Sequence, residues 1–429
     1  TNIHVPDFAM PPAAQLTTTG ADGERVDPIE SLQGLIADGT VQLPHDSVVG
    51  YLPSLLAALD IDVSSQNLVF SRTSLQTDRI APWAPRALYF NDDIYVGYVQ
   101  ESPILEIASI DPDGGAVFYT MRQDGDLPPT FTRETTLCLG CHDSGNVTAG
   151  VPGVMTRSVL VGRLGYSAGT LHQGALSDRT PPAERFAGWY VTGTHAPGAH
   201  AGNVYAPELS TSIEDKNRYL TTFDLNTGGN VTDLQGRFDH SVYLSGHSDL
   251  VALLVLTHQT RVHNIITKAQ EDTRDALRVQ AAALRSTGET VAEGAMLPVT
   301  EVRVAERVEA LLREMLFVGA APIGGPVAGT STFVDDFVAR GPQDPAGRSL
   351  RDFDLQDRIF RYPLSFLVYS EAFDALPDLV LDRFYQRLDQ ILTGQDTSGD
   401  FDHIETPTKS AIREILLATK PAFTEAVGG

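Results

Sequence analysis

Residues 87–121 contain the runs Ala87-Leu88-Tyr89-Phe90, Ile94-Tyr95-Val96-Gly97-Tyr98-Val99, Ile104–Ile110 and Ala116–Met121. Between them stand Asn91-Asp92-Asp93 and Asp111-Pro112-Asp113-Gly114-Gly115. The runs are β-branched or aromatic and alternate with period two, whereas the intervening residues are those that reverse a chain in tight turns. This pattern predicts an antiparallel meander of four or five strands, with Leu68-Val69-Phe70 as its first member.

Upstream, residues 1–45 are rich in Pro, Thr, Asp and Gly and read as an irregular arm with one short helix around Ile29–Ala37. His45–Leu59 places Val48, Leu52, Leu55, Leu56 and Leu59 at helical spacing. Downstream, Asp124–His240 is rich in loops, with strands expected at Ser158–Leu164 and Gly188–Thr194. The chain then changes character. Ser248–Ser286 contains neither Gly nor Pro, starts with a Ser-Asp cap and stops before Gly288, so it predicts one helix of about 39 residues, roughly 58 Å long. Further helices are expected at Glu301–Val318, Thr332–Ala339, Phe366–Leu376, Leu379–Leu392 and Thr406–Thr419. The expected class is α+β: an arm over residues 1–45, a β-rich region over 46–245, and a mainly helical region over 246–429.

Acidic side chains outnumber basic ones 55 to 31, for a net charge of −24. No basic face is visible for a phosphate backbone, which argues against nucleic-acid binding. The longest apolar run, Leu250–Leu256, is far short of the ~20 residues that span a bilayer, so no transmembrane segment is expected. The chain has only 2 cysteines, too few for a disulfide scaffold in a chain of this length.

Those cysteines lie in Leu137-Cys138-Leu139-Gly140-Cys141-His142. Cys-x-x-Cys-His is the pattern of covalent haem attachment. Two thiols on one turn of backbone can reach the two vinyl groups of a porphyrin edge, and the adjacent imidazole can reach the iron. Here the sequence resembles the c-type cytochromes, over the pentapeptide alone. The resemblance implies one covalent haem c, thioether-bound through Cys138 and Cys141, with His142 as proximal iron ligand. Gly188-Trp189-Tyr190-Val191-Thr192-Gly193-Thr194-His195 also looks like sequence found in large uncharacterised bacterial cytochrome-like proteins. Two rival chemistries use a cysteine pair. A structural zinc site would need a fourth ligand from afar, and a thioredoxin-like dithiol would need a βαβ context that the strands do not offer.

The sixth iron ligand is open on sequence. Met155 lies thirteen residues after His142, a reach of roughly 43 Å when extended. His195 follows an aromatic stretch, and His258 sits on the long helix. Arg133, Arg157 and Arg163 flank the haem segment and could pair with propionates; Trp189 and Tyr190 could wall the porphyrin. The family acquires its haem outside the cytoplasmic membrane, so the expectation is a periplasmic or extracellular protein whose leader has been removed. The acidic surface would suit a redox partner with a basic docking face. The expected role is electron transfer by a monohaem cytochrome. The alternative is a haem c-dependent oxidoreductase acting on peroxide or on a nitrogen or sulfur oxide at an open distal site.

Overall fold

The computed structural model describes residues 3–18, 25–125, 128–196, 198, 200–206, 225–292 and 294–428. Its fold is α+β, as expected. Six antiparallel strands form one sheet in sequence order: β1 (Asn67–Val69), β2 (Arg86–Phe90), β3 (Ile94–Tyr98), β4 (Ile104–Asp111), β5 (Gly115–Arg122) and β6 (Phe131–Arg133). The first five are the predicted meander. The sixth, Phe131-Thr132-Arg133, is too short and too exposed to carry an alternation signal.

Both faces of this sheet are covered, which is why its strands are almost continuously buried. On one face Tyr89, Val96, Ile107 and Tyr119 join a core with Leu32, Leu52 and Leu55 from the N-terminal helices Pro28–Ala37 and Leu52–Ala58. On the other face Phe90, Tyr95, Ala108 and Phe118 join Leu253, Val262 and Ile266 of the long helix. That second core continues through Val308, Leu312, Phe366, Phe384 and Ile415 of the C-terminal helices, so hydrophobic packing runs unbroken across residue 246.

The long helix spans Leu250–Thr287. The Asp249 carboxylate accepts from the amides of Val251 and Ala252, and Gly288 closes the helix in the left-handed region at φ +72, the conformation glycine adopts without penalty. The next helix, Pro298–Met315, ends earlier than expected. Its last turn is a Schellman cap: the Phe317 amide donates to Glu314 and the Val318 amide to Arg313. The left-handed residue there is Phe317, at φ +57. Few bulky side chains accept that backbone; this one stacks its ring on His258 at 4.4 Å.

Residues 188–194 do not form the expected strand. They make isolated bridges instead, Trp189 to Val69, Thr192 to Asp249 and Thr194 to Ala328, so this stretch stitches the sheet edge to the start of the long helix. Only Val159–Val161, paired with Ser167–Thr170, survives of the strand expected at Ser158–Leu164.

Candidate functional site

Glu134 leaves the sheet with its amide bonded to the Phe118 carbonyl and its carboxylate accepting from Thr120 Oγ1 at 2.8 Å. The chain then turns through Leu139–His142 as a single helical turn, in which the amides of Cys141 and His142 both donate to the Cys138 carbonyl. At about 100° per residue, Cys138, Cys141 and His142 project within an arc of about 100° of one another. Three residues of the expected site therefore face one side. Both cysteines are free thiols, Cys138 half-buried and Cys141 exposed.

The loop after this turn folds back and is wedged between the β4–β5 turn and the long helix. The Ala116 amide donates to the Pro152 carbonyl, and the Gly153 amide to the His142 carbonyl at 2.8 Å. In return His142 Nδ1 lies 2.8 Å from the Gly153 carbonyl. A carbonyl only accepts, so Nδ1 carries the proton and Nε2 is left with its lone pair. No hydrogen bond engages Nε2 among the described residues. Burial pushes the His142 pKa down, so the imidazole stays neutral at pH 7. The ring packs on Phe118 at 4.6 Å. A fixed Nδ1–H tautomer with a basic Nε2 is the arrangement that metal-ligating histidines adopt.

Burial, followed by the Glu134 and Glu106 carboxylates, pushes the Cys138 thiol up to about 11. The surroundings penalise a thiolate, the species that dithiol redox chemistry needs at low pKa. They do not penalise a neutral thioether. Beneath the turn, Leu88, Gly97, Glu106, Thr120 and Thr132 form one cross-strand row on β2–β6. Arg86 pairs with Glu106 at 2.5 Å. A side chain at position 97 would overlap the Arg86 guanidinium, so Gly97 makes room for the pair. Among the described residues, Arg86 Nε and Glu106 Oε1 are buried without a partner. Sequence reading missed this pair, because Arg86 and Glu106 come together only through strand register.

The other expected residues are distributed differently. Arg133 is exposed and pairs with Glu30 at 3.2 Å. Arg163 lies over the Tyr205 ring. The Arg157 carbonyl accepts from Trp189 Nε1 at 2.7 Å, which commits Trp189 to the core between β1 and the long helix. The Tyr190 hydroxyl is bonded to Pro82 and Tyr205 and is buried against the opposite face of the sheet.

His195 packs on His200, ring centroids 4.5 Å apart. Its Nδ1 bonds the Ala196 carbonyl and its Nε2 accepts from the Asn230 amide, so both nitrogens are spent. The segment is pinned by Thr192 to Asp249, at the start of the long helix, whereas the His142 loop meets that helix at Asn264. Fifteen residues of helix separate the two points, roughly 22 Å. The structure does not bring His195 to His142.

His258 is fully buried. Nδ1 donates to Asp178 Oδ2 at 2.7 Å, and Nε2 is hydrogen-bonded to Ser365 Oγ at 2.8 Å. The order Asp–His–Ser matches that of a hydrolase triad, but the Ser365 side chain has no exposed surface and therefore cannot meet a substrate. Met155 is the remaining expected ligand. It lies two residues beyond Gly153, in a strip tied down by Val154 to Asn264 and by Thr156 to Thr257.

Among the described residues, no group of three or more His, Cys, Asp or Glu side chains is placed to hold a metal ion. This leaves the zinc alternative without a ligand set there; a haem iron asks for only one or two protein ligands. A cavity of about 280 Å³ lies elsewhere, between the N-terminal arm and the β2–β3 turn, lined by Asp27, Asp92, Asp93, Ile110 and Glu371 among others. In it, burial and the nearby Asp92 and Glu371 carboxylates push Asp93 up to about 7.

No family model, no curated protein and no solved structure matches this chain.

Proposed function

We propose that the chain is an exported monohaem c-type cytochrome acting in electron transfer, with haem c held by thioethers at Cys138 and Cys141 and by His142 at the iron. The observation that carries the reading is the His142–Gly153 hydrogen bond, which presents Nε2 unprotonated beside two free cysteines on the same turn. The thiol environment supports it as well, since a site that disfavours the Cys138 thiolate accommodates a neutral thioether. When bound, the haem supplies a one-electron couple at its iron. The chain's own residues hold the imidazole neutral and oriented, shield it with Phe118, and set two opposite charges, Arg86 and Glu106, beside it.

No helix among the described residues is long and apolar enough to cross a membrane. Location outside the cytoplasmic membrane follows from the haem reading, and a chain with no thiol beyond those two fits an oxidising compartment. The net charge of −24 favours a basic docking face on the redox partner, through steering that weakens with salt.

The test is an absorption spectrum of the oxidised and reduced protein, with and without carbon monoxide. Low-spin spectra unmoved by carbon monoxide are expected of a six-coordinate electron carrier. A high-spin ferric band with rapid carbon monoxide binding would overturn the carrier role in favour of an open-site oxidoreductase acting on peroxide or a nitrogen or sulfur oxide.

A further inference from the structure

The loop that orients His142 is not held by its own turn alone. Asn264, on the long helix and only 2% exposed, grips it at both polar groups of one residue. Its Oδ1 accepts from the Val154 amide at 3.1 Å, and its Nδ2 donates to the Val154 carbonyl at 2.8 Å. The side-chain amide thereby pairs with the loop as a neighbouring strand would. The loop is built for this approach. A Cβ at Gly153 would overlap Asn264 Oδ1, so only glycine lets the chain lie close enough. Across the loop, Gly115 at φ +79 lets Pro152 and Thr267 close against the β4–β5 turn.

We infer that Asn264 is the positioning residue of the His142 imidazole: by fixing the Gly153–Val154 backbone it fixes the carbonyl that holds Nδ1–H, and so the direction and basicity of Nε2. The chain of contacts is short. Asn264 holds Val154, Val154 follows Gly153, and the Gly153 carbonyl accepts the His142 proton. Thr257 meets the strip side chain to side chain, at the Thr156 hydroxyl, and three other polar residues of the helix bond different segments. Gln259 and His263 bond the Asn91–Asp92 turn, and Gln270 bonds the Ala375 carbonyl. Among the described residues, Asn264 is the one that links the helix to this backbone by two bonds. Where the proposed haem is bound, a firmer Nδ1–H bond gives the imidazole more anionic character and favours the ferric state.

The experiment compares Asn264→Leu with Gln270→Leu, which also deletes a buried hydrogen bond of the same helix but touches a different segment. The first readout is solvent exchange of the His142 Nδ1 proton, followed by NMR in the diamagnetic reduced protein; it exists with or without haem. Exchange is expected to quicken roughly tenfold in Asn264→Leu, the worth of about one hydrogen bond, and to stay unchanged in Gln270→Leu. The second readout, which rests on the cytochrome reading, is the midpoint potential, expected to rise in Asn264→Leu only. Unchanged exchange in Asn264→Leu, with thermal stability lowered as in Gln270→Leu, would overturn the positioning role. A wild-type chain that carries no covalent haem but shows the exchange difference would overturn the cytochrome reading and support the role of Asn264.

Discussion

Two histidines are held by the long helix or by the loop against it, and their surroundings are opposite. His258 rises from the helix into the core, where Asp178 and Ser365 take both ring nitrogens and Phe317 covers its face. His142 sits at the edge of the same core with one nitrogen bonded to Gly153 and the other unbonded among the described residues. Both imidazoles are oriented and both have a partner on Nδ1. The difference is Nε2: at His258 it is bonded to a hydroxyl, at His142 it is available. What fits a histidine for ligation is therefore whether Nε2 is left unbonded, and not burial, which is greater at His258.

The largest effects are expected where the chemistry of each site is removed. Cys138→Ala with Cys141→Ala is expected to abolish covalent haem completely, and His142→Ala to remove the proximal iron ligand and move the absorption spectrum. His258→Leu should leave both unaltered. Haem staining and absorption spectra check the set; loss of the haem signal in His258→Leu alone would reverse the assignment.

Stability should respond in the opposite sense. His258→Leu leaves the Asp178 carboxylate and the Ser365 hydroxyl without their partner in a region where Arg185, 2% exposed, is also buried. A cost of about 3 kcal/mol is expected in urea unfolding, the usual range for breaking a buried polar network. A smaller effect is expected at the distal side. Met155→Ala should shift the absorption spectrum if its thioether is the sixth ligand, whereas His195→Ala should not, because both His195 nitrogens are already bonded. A shift in His195→Ala with none in Met155→Ala would contradict the placement.

The last effect is a dependence on pH, in the Asn91-Asp92-Asp93 turn that Gln259 and His263 hold. Asp93 has its pKa raised to about 7. At low pH the carboxyl is protonated folded and unfolded alike, and no difference arises. Between its ordinary value near 4 and about 7, the folded chain keeps a proton that the unfolded chain releases, so stability falls as pH rises, by at most about 1.4 kcal/mol per pH unit. Asp93→Asn should thus be more stable than wild type at pH 8 and no more stable at pH 3.5. Equal urea midpoints at pH 8 would show that solvent reaches this carboxylate freely.

The meander and the long helix were legible because each rests on a local signal: alternation with turn residues in one, a stretch free of Gly and Pro with an Asp cap and a Gly stop in the other. The end of the Pro298–Met315 helix was not. Its left-handed cap is Phe317, which reads as one more apolar helical residue until its ring is seen on His258. Residues 188–194 looked like a strand because Trp189, Tyr190 and Val191 are apolar, but their partners are single bridges from three different elements. At the site, Cys138, Cys141 and His142 were legible as one pentapeptide. Arg86, Glu106, Gly153 and Asn264 were not, since a strand register and a helix crossing bring them in from positions 56 residues before to 122 residues after His142. Glycines at 97 and 153 were the available clue, each marking a place where a polar side chain needs the room of a missing Cβ.

Covalent haem on Cys138 and Cys141 is read from a denaturing gel of the protein isolated from a host that attaches haem to exported proteins, stained for haem. A stained band at the mass of the chain, lost in the variant lacking both cysteines, is the expected result. A wild-type band that takes no haem stain, from cells in which a control c-type cytochrome is stained, would contradict it.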